Sequence, residues 1–107
     1  MKVIYNYLPQ EFKNVEDIFK DWQKLIKSTE FTLGSFVEKF ENKFKEFVGS
    51  DFCISTNNGT DALILCLKAL NIGKGDEVIT VANTFYATVG AIVAVGATPV
   101  LVDADER

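Results

Sequence analysis

The stretch STNNGTDALILCLKALNIGKGDEVITVANTFYATVGAIVAVGATPVLVDAD, residues 55–105, decides the fold. Together with the apolar Phe52, Cys53 and Ile54 before it, it reads as a strand over 52–56, a helix over 60–70, a strand over 77–81, a helix over 85–95 and a strand over 99–103. Gly73, Gly75, Gly96 and Pro99 fall between or at the ends of these runs, where residues that turn or stop the chain belong. Such β-α-β-α-β alternation predicts parallel strands joined by right-handed crossovers. Ligands of open parallel sheets settle outside the carboxyl ends of the strands. Those ends carry residues 55–60, 83–86 and 103–105, so one edge collects most of the polar residues of interest.

NNGTDAL, residues 57–63, gives that edge its chemistry: two Asn and Gly59 turn the chain, and a helix opens near Thr60. The first N–H groups of a helix lack intrahelical acceptors and lie at the positive end of its dipole. That makes an anion site, suited above all to phosphate. Capping alone also places Asn, Thr and Asp at helix starts, so both readings stand on these residues. Phe85 and Tyr86 open the next helix, which is otherwise largely Ala, Val and Ile. A flat aromatic there can stack on a planar ring, or simply fill the sheet edge.

Two other motifs carry less. Gly73-Lys74-Gly75 lacks the Ser or Thr that must follow the lysine of a nucleotide-binding phosphate loop, so it reads as a turn. VLVDAD, residues 100–105, resembles the strand and DxD of aspartate-nucleophile phosphatases, but Glu106 and Arg107 stand where a Thr is expected.

Two amphipathic helices come first. Val15, Ile18, Phe19, Trp22, Leu25 and Ile26 lie three and four apart, which predicts a helix over 14–27. Phe36, Val37, Phe40, Phe44, Phe47 and Val48 repeat the pattern, and Gly49 supplies the stop. Both stripes read as core or interface, because helical periodicity is what packing demands. Glu38, Lys39, Glu41, Lys43, Lys45 and Glu46 mix both signs of charge and read as a solvated face.

The 107 residues fit one small domain. Eleven basic against 15 acidic residues give a net charge of −4, with no basic run to track a nucleic-acid backbone, so no nucleic acid is expected as partner. MKVIYNYLPQEF lacks the features of a signal peptide, and the apolar run 89–95 is too short to cross a bilayer. A cytoplasmic location away from the membrane is expected. Cys53 and Cys66 form no CxxC pair and read as buried, reduced thiols. With no histidine in the chain, Ser-His-Asp and Cys-His catalysis and His-based metal sites fall away, and no metal is expected.

Six segments stand in a telling order: Phe31-Thr32-Leu33-Gly34, FVEKFENKFKEFVG (36–49), NGTDAL (58–63), GDEVI (75–79), TFYAT (84–88) and GATPVLVD (96–103). Over nearly the whole chain this set resembles the DegT-type nucleotide-sugar aminotransferases, pyridoxal-phosphate enzymes of fold type I. The resemblance implies an α/β fold, the N-terminal part of a fold-type I large domain: two leading helices, then β-α-β-α-β with parallel strands. Residues 1–50 would be a leading helical segment and 51–107 the first part of the cofactor-binding domain, truncated because the family's catalytic unit is several times longer.

The resemblance also implies an activity: an amino group passes from glutamate to a keto group of a nucleotide-linked sugar, with NGTDAL and VANTF leaning towards 3-keto-6-deoxyhexoses. Gly59, Thr60 and Asp61 would hold the phosphate of pyridoxal 5'-phosphate, chiefly through N–H groups and the Thr60 hydroxyl, and Phe85 would lie on its ring. Phe31, Thr32 and Gly34 would lie near the sugar nucleotide, and the full-length protein would be a homodimer. The lysine that binds the cofactor covalently and the carboxylate at its pyridine nitrogen lie further downstream in the family. None of the lysines from Lys2 to Lys74 follows that lysine's motif, and Lys68 sits mid-helix facing solvent. The segment alone is expected to be inactive. The alternatives are a freestanding small α/β module that binds a phosphate or nucleotide without catalysis, and a non-catalytic remnant or assembly segment.

Overall fold

The computed structural model describes residues 7–105. The chain divides into two compact units, Met1–Ile54 and Ser55–Arg107.

The first unit holds three helices: α1 (Leu8–Glu11), α2 (Glu16–Ser28) and α3 (Ser35–Val48). The single turn α1, with a proline in its opening positions, was not expected from the periodicity, which one turn is too short to show. On α2, Lys20 pairs with Asp17 at 2.8 Å and Lys24 with Asp21 at 2.6 Å. The hydrogen bond and charge of Lys24 hold the Asp21 carboxyl below the usual carboxylate range. α3 stops at Gly49, whose φ of 71° lies in the left-handed region. There the Ser50 N–H reaches back to the Lys45 carbonyl at 3.0 Å, the closure that glycine favours at a helix end.

The apolar stripes of α2 and α3 do not form a core. Neither helix buries a residue; Trp22 is 58% and Phe47 86% exposed. Phe19 meets Trp22 edge-on at 5.7 Å, and Phe40 stacks on Phe44 at 5.5 Å, each along its own helix. Periodicity marks the face of a helix that needs cover, but it does not supply the cover.

The second unit runs α4 (Gly59–Ala69), β1 (Glu77–Val81), α5 (Tyr86–Ala94) and β2 (Thr98–Val102). β1 and β2 pair in parallel, in register from Glu77 with Thr98 to Val81 with Val102, so α5 is the crossover helix of a β-α-β unit. The strand expected over 52–56 is not formed: the described sheet has two strands, and this run pairs with neither. A strand exists only through its ladder partner, and the apolar residues that suggested one, Phe52 and Ile54, are 85% and 81% exposed. The α/β class and the parallel pairing stand, with α-β-α-β in place of β-α-β-α-β.

Among the described residues, Ala87, Ala91, Ile92 and Ala97 are the buried ones. Ala87 and Ala91 share one face of α5, and their small side chains let that helix settle against α4 and both strands. The turn read at Gly73-Lys74-Gly75 is present: the Gly73 N–H donates to Asp76 Oδ2 at 2.8 Å, and the Asp76 carbonyl accepts from the Thr98 N–H at 2.9 Å. Gly96, with φ of 86°, closes α5 in the left-handed conformation. Asn71, with φ of 58°, does so after α4, where the Ile72 N–H donates to the Leu67 carbonyl at 3.0 Å. Cys53 is half-buried and Cys66 exposed, both free thiols, which corrects the buried reading. Cys66 lines an open groove with Leu63, Leu67 and Ile79 and is not enclosed. No helix among the described residues is long and apolar enough to cross a membrane.

Candidate cofactor site

Asn58 is the N-cap of α4, in extended conformation. Its Oδ1 accepts from the Asp61 N–H at 2.9 Å, and its Nδ2 donates to Asp61 Oδ2 at 2.9 Å. Asn58 is thus a side-chain N-cap, held by a side-chain pair with Asp61; it differs from a capping box, where the carboxylate would accept from the N-cap backbone N–H. The Asn58 carbonyl accepts from the Ala62 N–H at 3.2 Å and from the Thr56 hydroxyl at 2.9 Å. The helix-start donors are thereby sorted: Asp61 and Ala62 have acceptors, whereas the Gly59 and Thr60 N–H groups have none among the described residues. A Cβ added at Gly59 would meet nothing within 4 Å, so the approach is open. Two adjacent free N–H groups and the Thr60 hydroxyl at the positive end of an eleven-residue helix fit a phosphate. Asp61 differs from them: its N–H is engaged, and its carboxylate carries the same sign of charge as a phosphate.

Phe85 is the N-cap of α5, extended, with φ of −67° and ψ of 142°. Its ring is 68% exposed and lies 4.3 Å from that of Tyr86, tilted by 54°. The Thr84 and Thr88 hydroxyls, 2.9 Å apart, bridge the first turn of α5 around it. α5 starts where β1 ends, and α4 ends at the turn that leads into the start of β1. Phe85 thus lies at the carboxyl edge of the sheet, and α4 packs against α5. An exposed aromatic face at that edge fits a planar ring.

Phe31, Thr32 and Gly34 lie in the first unit, in the loop between α2 and α3. Phe31 is 66% exposed; its neighbour Leu33 is 82% exposed and holds a left-handed φ of 50°. Sequence reasoning read Asn58 only as a turn or capping residue and gave no role to Glu30 or the Thr84–Thr88 pair. The Asn-x-x-Asp spacing is itself a capping signal that could have identified the pairing of Asn58 with Asp61. Glu30 has no such local signature.

The sequence pattern of the DegT/DnrJ/EryC1/StrS aminotransferase family matches residues 13–107, and the chain belongs to that family. It is 44% identical over 90 residues to the dTDP-3-amino-3,6-dideoxy-alpha-D-galactopyranose transaminase of Aneurinibacillus thermoaerophilus, covering 84% of this chain and 25% of that protein. It is 39% identical over 89 residues to the 3-oxo-glucose-6-phosphate:glutamate aminotransferase of Bacillus subtilis, covering 83% and 20%. Among solved structures, NtdA from Bacillus subtilis with bound cofactor PMP superposes with a TM-score of 0.88 at 36% identity, over 97% of this chain and 24% of that one. The chain spans about a quarter of the length of the curated relatives it matches.

Proposed function

We propose that this chain forms the phosphate-holding N-terminal part of a pyridoxal-phosphate-dependent aminotransferase, which moves an amino group from glutamate to a keto group of a nucleotide-linked sugar, with 3-keto-6-deoxyhexoses as the leading candidates. The observation that carries the reading is the pair of acceptor-free N–H groups at Gly59 and Thr60, at the start of the α4 of a chain that belongs to an aminotransferase family. Gly59 and Thr60 hold the phosphate, Asp61 orders the turn that presents them, and the Phe85 ring keeps the tilt of the cofactor ring. When bound, pyridoxal phosphate supplies an electron-withdrawing ring that stabilises negative charge at the substrate carbon. Phe31, Thr32 and Gly34 face the sugar substrate. Residues 1–50 form the leading helical segment and 51–107 the first part of the cofactor-binding domain. The full-length protein is a homodimer in the cytoplasm; the exposed stripes of α2 and α3 support the dimer alone, since they offer apolar surface to a second subunit.

The test is a transfer assay on the full-length protein with pyridoxal phosphate and glutamate, offering dTDP-, UDP- and GDP-linked keto sugars beside 3-oxo-glucose 6-phosphate. Formation of an amino sugar nucleotide together with 2-oxoglutarate is the expected result. Amination of the sugar phosphate alone would overturn the nucleotide-linked substrate, and no transfer to any of them would overturn the activity.

A further inference from the structure

We infer that Glu30 is a positioning residue that holds the Phe31–Gly34 loop in the shape that meets the sugar substrate, an inference that rests on the proposed placement of that loop. The loop leaves α2 at Thr29, which is left-handed at φ 57° and donates its N–H to the Leu25 carbonyl at 3.0 Å. It enters α3 at Gly34, the N-cap. Glu30 ties these two ends together: its Oε2 accepts from the Ser35 hydroxyl at 2.8 Å and from the Ser35 N–H at 3.3 Å. The carboxylate thereby sits at the positive end of the α3 dipole, where an anion is favoured.

The crossing is tight as well as bonded. A Cβ at Gly34 would lie 2.6 Å from the Glu30 Cβ and 2.9 Å from the Glu30 carbonyl oxygen. The φ of Gly34 is −91°, so space and not backbone handedness calls for glycine here. Between the tied ends, Phe31 and Leu33 stand outward, and Leu33 keeps a left-handed φ that a non-glycine residue adopts only under local constraint. Glu30 itself sits at the base of the loop, so its effect on the substrate passes through the residues it holds. A plain cap on α3 would support the whole protein evenly, whereas a positioning role acts on the keto-sugar step alone.

The experiment uses the full-length enzyme loaded with pyridoxal phosphate, in wild type, Glu30→Ala, Glu30→Gln and Phe31→Ala forms. The varied substrate is whichever keto sugar of the transfer assay the wild type aminates fastest. Glu30→Ala is expected to raise KM for the keto sugar by about fivefold to tenfold, as loss of an ionic hydrogen bond partly screened by solvent would. Turnover, and the half-reaction with glutamate followed by absorbance without keto sugar, should stay within about twofold. Glu30→Gln should bring KM back to within about twofold of wild type, because its amide oxygen accepts from the same two donors. Amide exchange at Ser35 should be faster in the Ala variant than in the Gln variant or wild type. Should Glu30→Ala fail to fold, Ser35→Ala removes the 2.8 Å bond alone and is read in the same way. A wild-type KM in the Ala variant, or a glutamate half-reaction that falls as far as the keto-sugar step, overturns the inference. If Phe31→Ala raises KM while Glu30→Ala does not, only the role of Glu30 fails. If neither moves it, or no keto sugar is aminated, the substrate-loop placement fails and the inference falls with it.

Discussion

Asn58 and Asp61 exchange two hydrogen bonds of 2.9 Å, one to the Asp61 N–H and one to its carboxylate, closing a ring across the first turn of α4. The ring occupies the third N–H of the helix, while the first two have no acceptor among the described residues, so it decides which donors are left for a phosphate.

Asp61 should therefore matter through geometry and not through charge. In the full-length enzyme, Asp61→Ala is expected to weaken retention of pyridoxal phosphate by about 0.5–1.5 kcal/mol, the scale of one hydrogen bond in a turn. Asp61→Asn still accepts from Asn58 and should lose less. Equilibrium dialysis of the cofactor separates the two. An Asn variant as weak as the Ala variant would mean that the carboxylate charge itself is needed.

Thr60 and Phe85 should give different signatures. Thr60→Val removes the hydroxyl proposed to meet the phosphate and should cost about 1.5–3 kcal/mol of cofactor binding without unfolding the protein. Phe85→Ala should loosen the ring and lower turnover by the equivalent of about 0.5–1.5 kcal/mol, if stacking is the main contribution. Cofactor titration and steady-state rates on the two variants check this. Wild-type values in both would remove these residues from the site while leaving family membership untouched.

The elements of the second unit were legible because each is bounded by local chemistry. Gly96 closes α5 and the Gly73–Asp76 turn opens β1, so α4, β1, α5 and β2 fall within a residue or so of the expected bounds. The run 52–56 misled because its apolar residues signal burial without naming a partner strand, and β1 and β2 leave it unpaired. The Phe and Trp stripes, read as core or interface, form no core among the described residues, which leaves the interface reading: they fix which face of α2 and α3 seeks contact, not what covers it. In the site, the α4 start was visible in NNGTDAL. The division of labour between Gly59, Thr60 and Asp61 was not, because it depends on where the Asn58 side chain turns. Glu30 was hidden for a similar reason, since its partner Ser35 is reached across a loop and not along a helix.

The 107-residue chain expressed alone should bind pyridoxal phosphate weakly. It offers two N–H groups, one hydroxyl and one ring face, and none of its lysines has the sequence context of the covalent one. Such contacts correspond to an affinity near millimolar, about 4 kcal/mol. An absorbance titration should show no stable covalent band near one equivalent of cofactor. Such a band would require a reactive lysine within the chain.

The last expectation concerns the chain's behaviour in solution when produced by itself. Among the described residues the buried ones are Ala87, Ala91, Ile92 and Ala97, three of them alanines, while Phe47, Phe52, Ile54 and Leu33 are each more than 80% exposed. Burial of an alanine methyl contributes little next to a Phe or Leu side chain, so most of the apolar surface able to stabilise the fold is still in water. The β1–β2 sheet also presents unpaired edges, which invite pairing with other chains. Helices persist without a fixed core in states that keep secondary structure and lose close packing. The isolated chain should therefore show strong far-ultraviolet helix signal, weak near-ultraviolet signal, and self-association in sedimentation. A clean monomer with a sharp, cooperative unfolding transition would overturn this expectation and favour a freestanding binding module over a part of a larger enzyme.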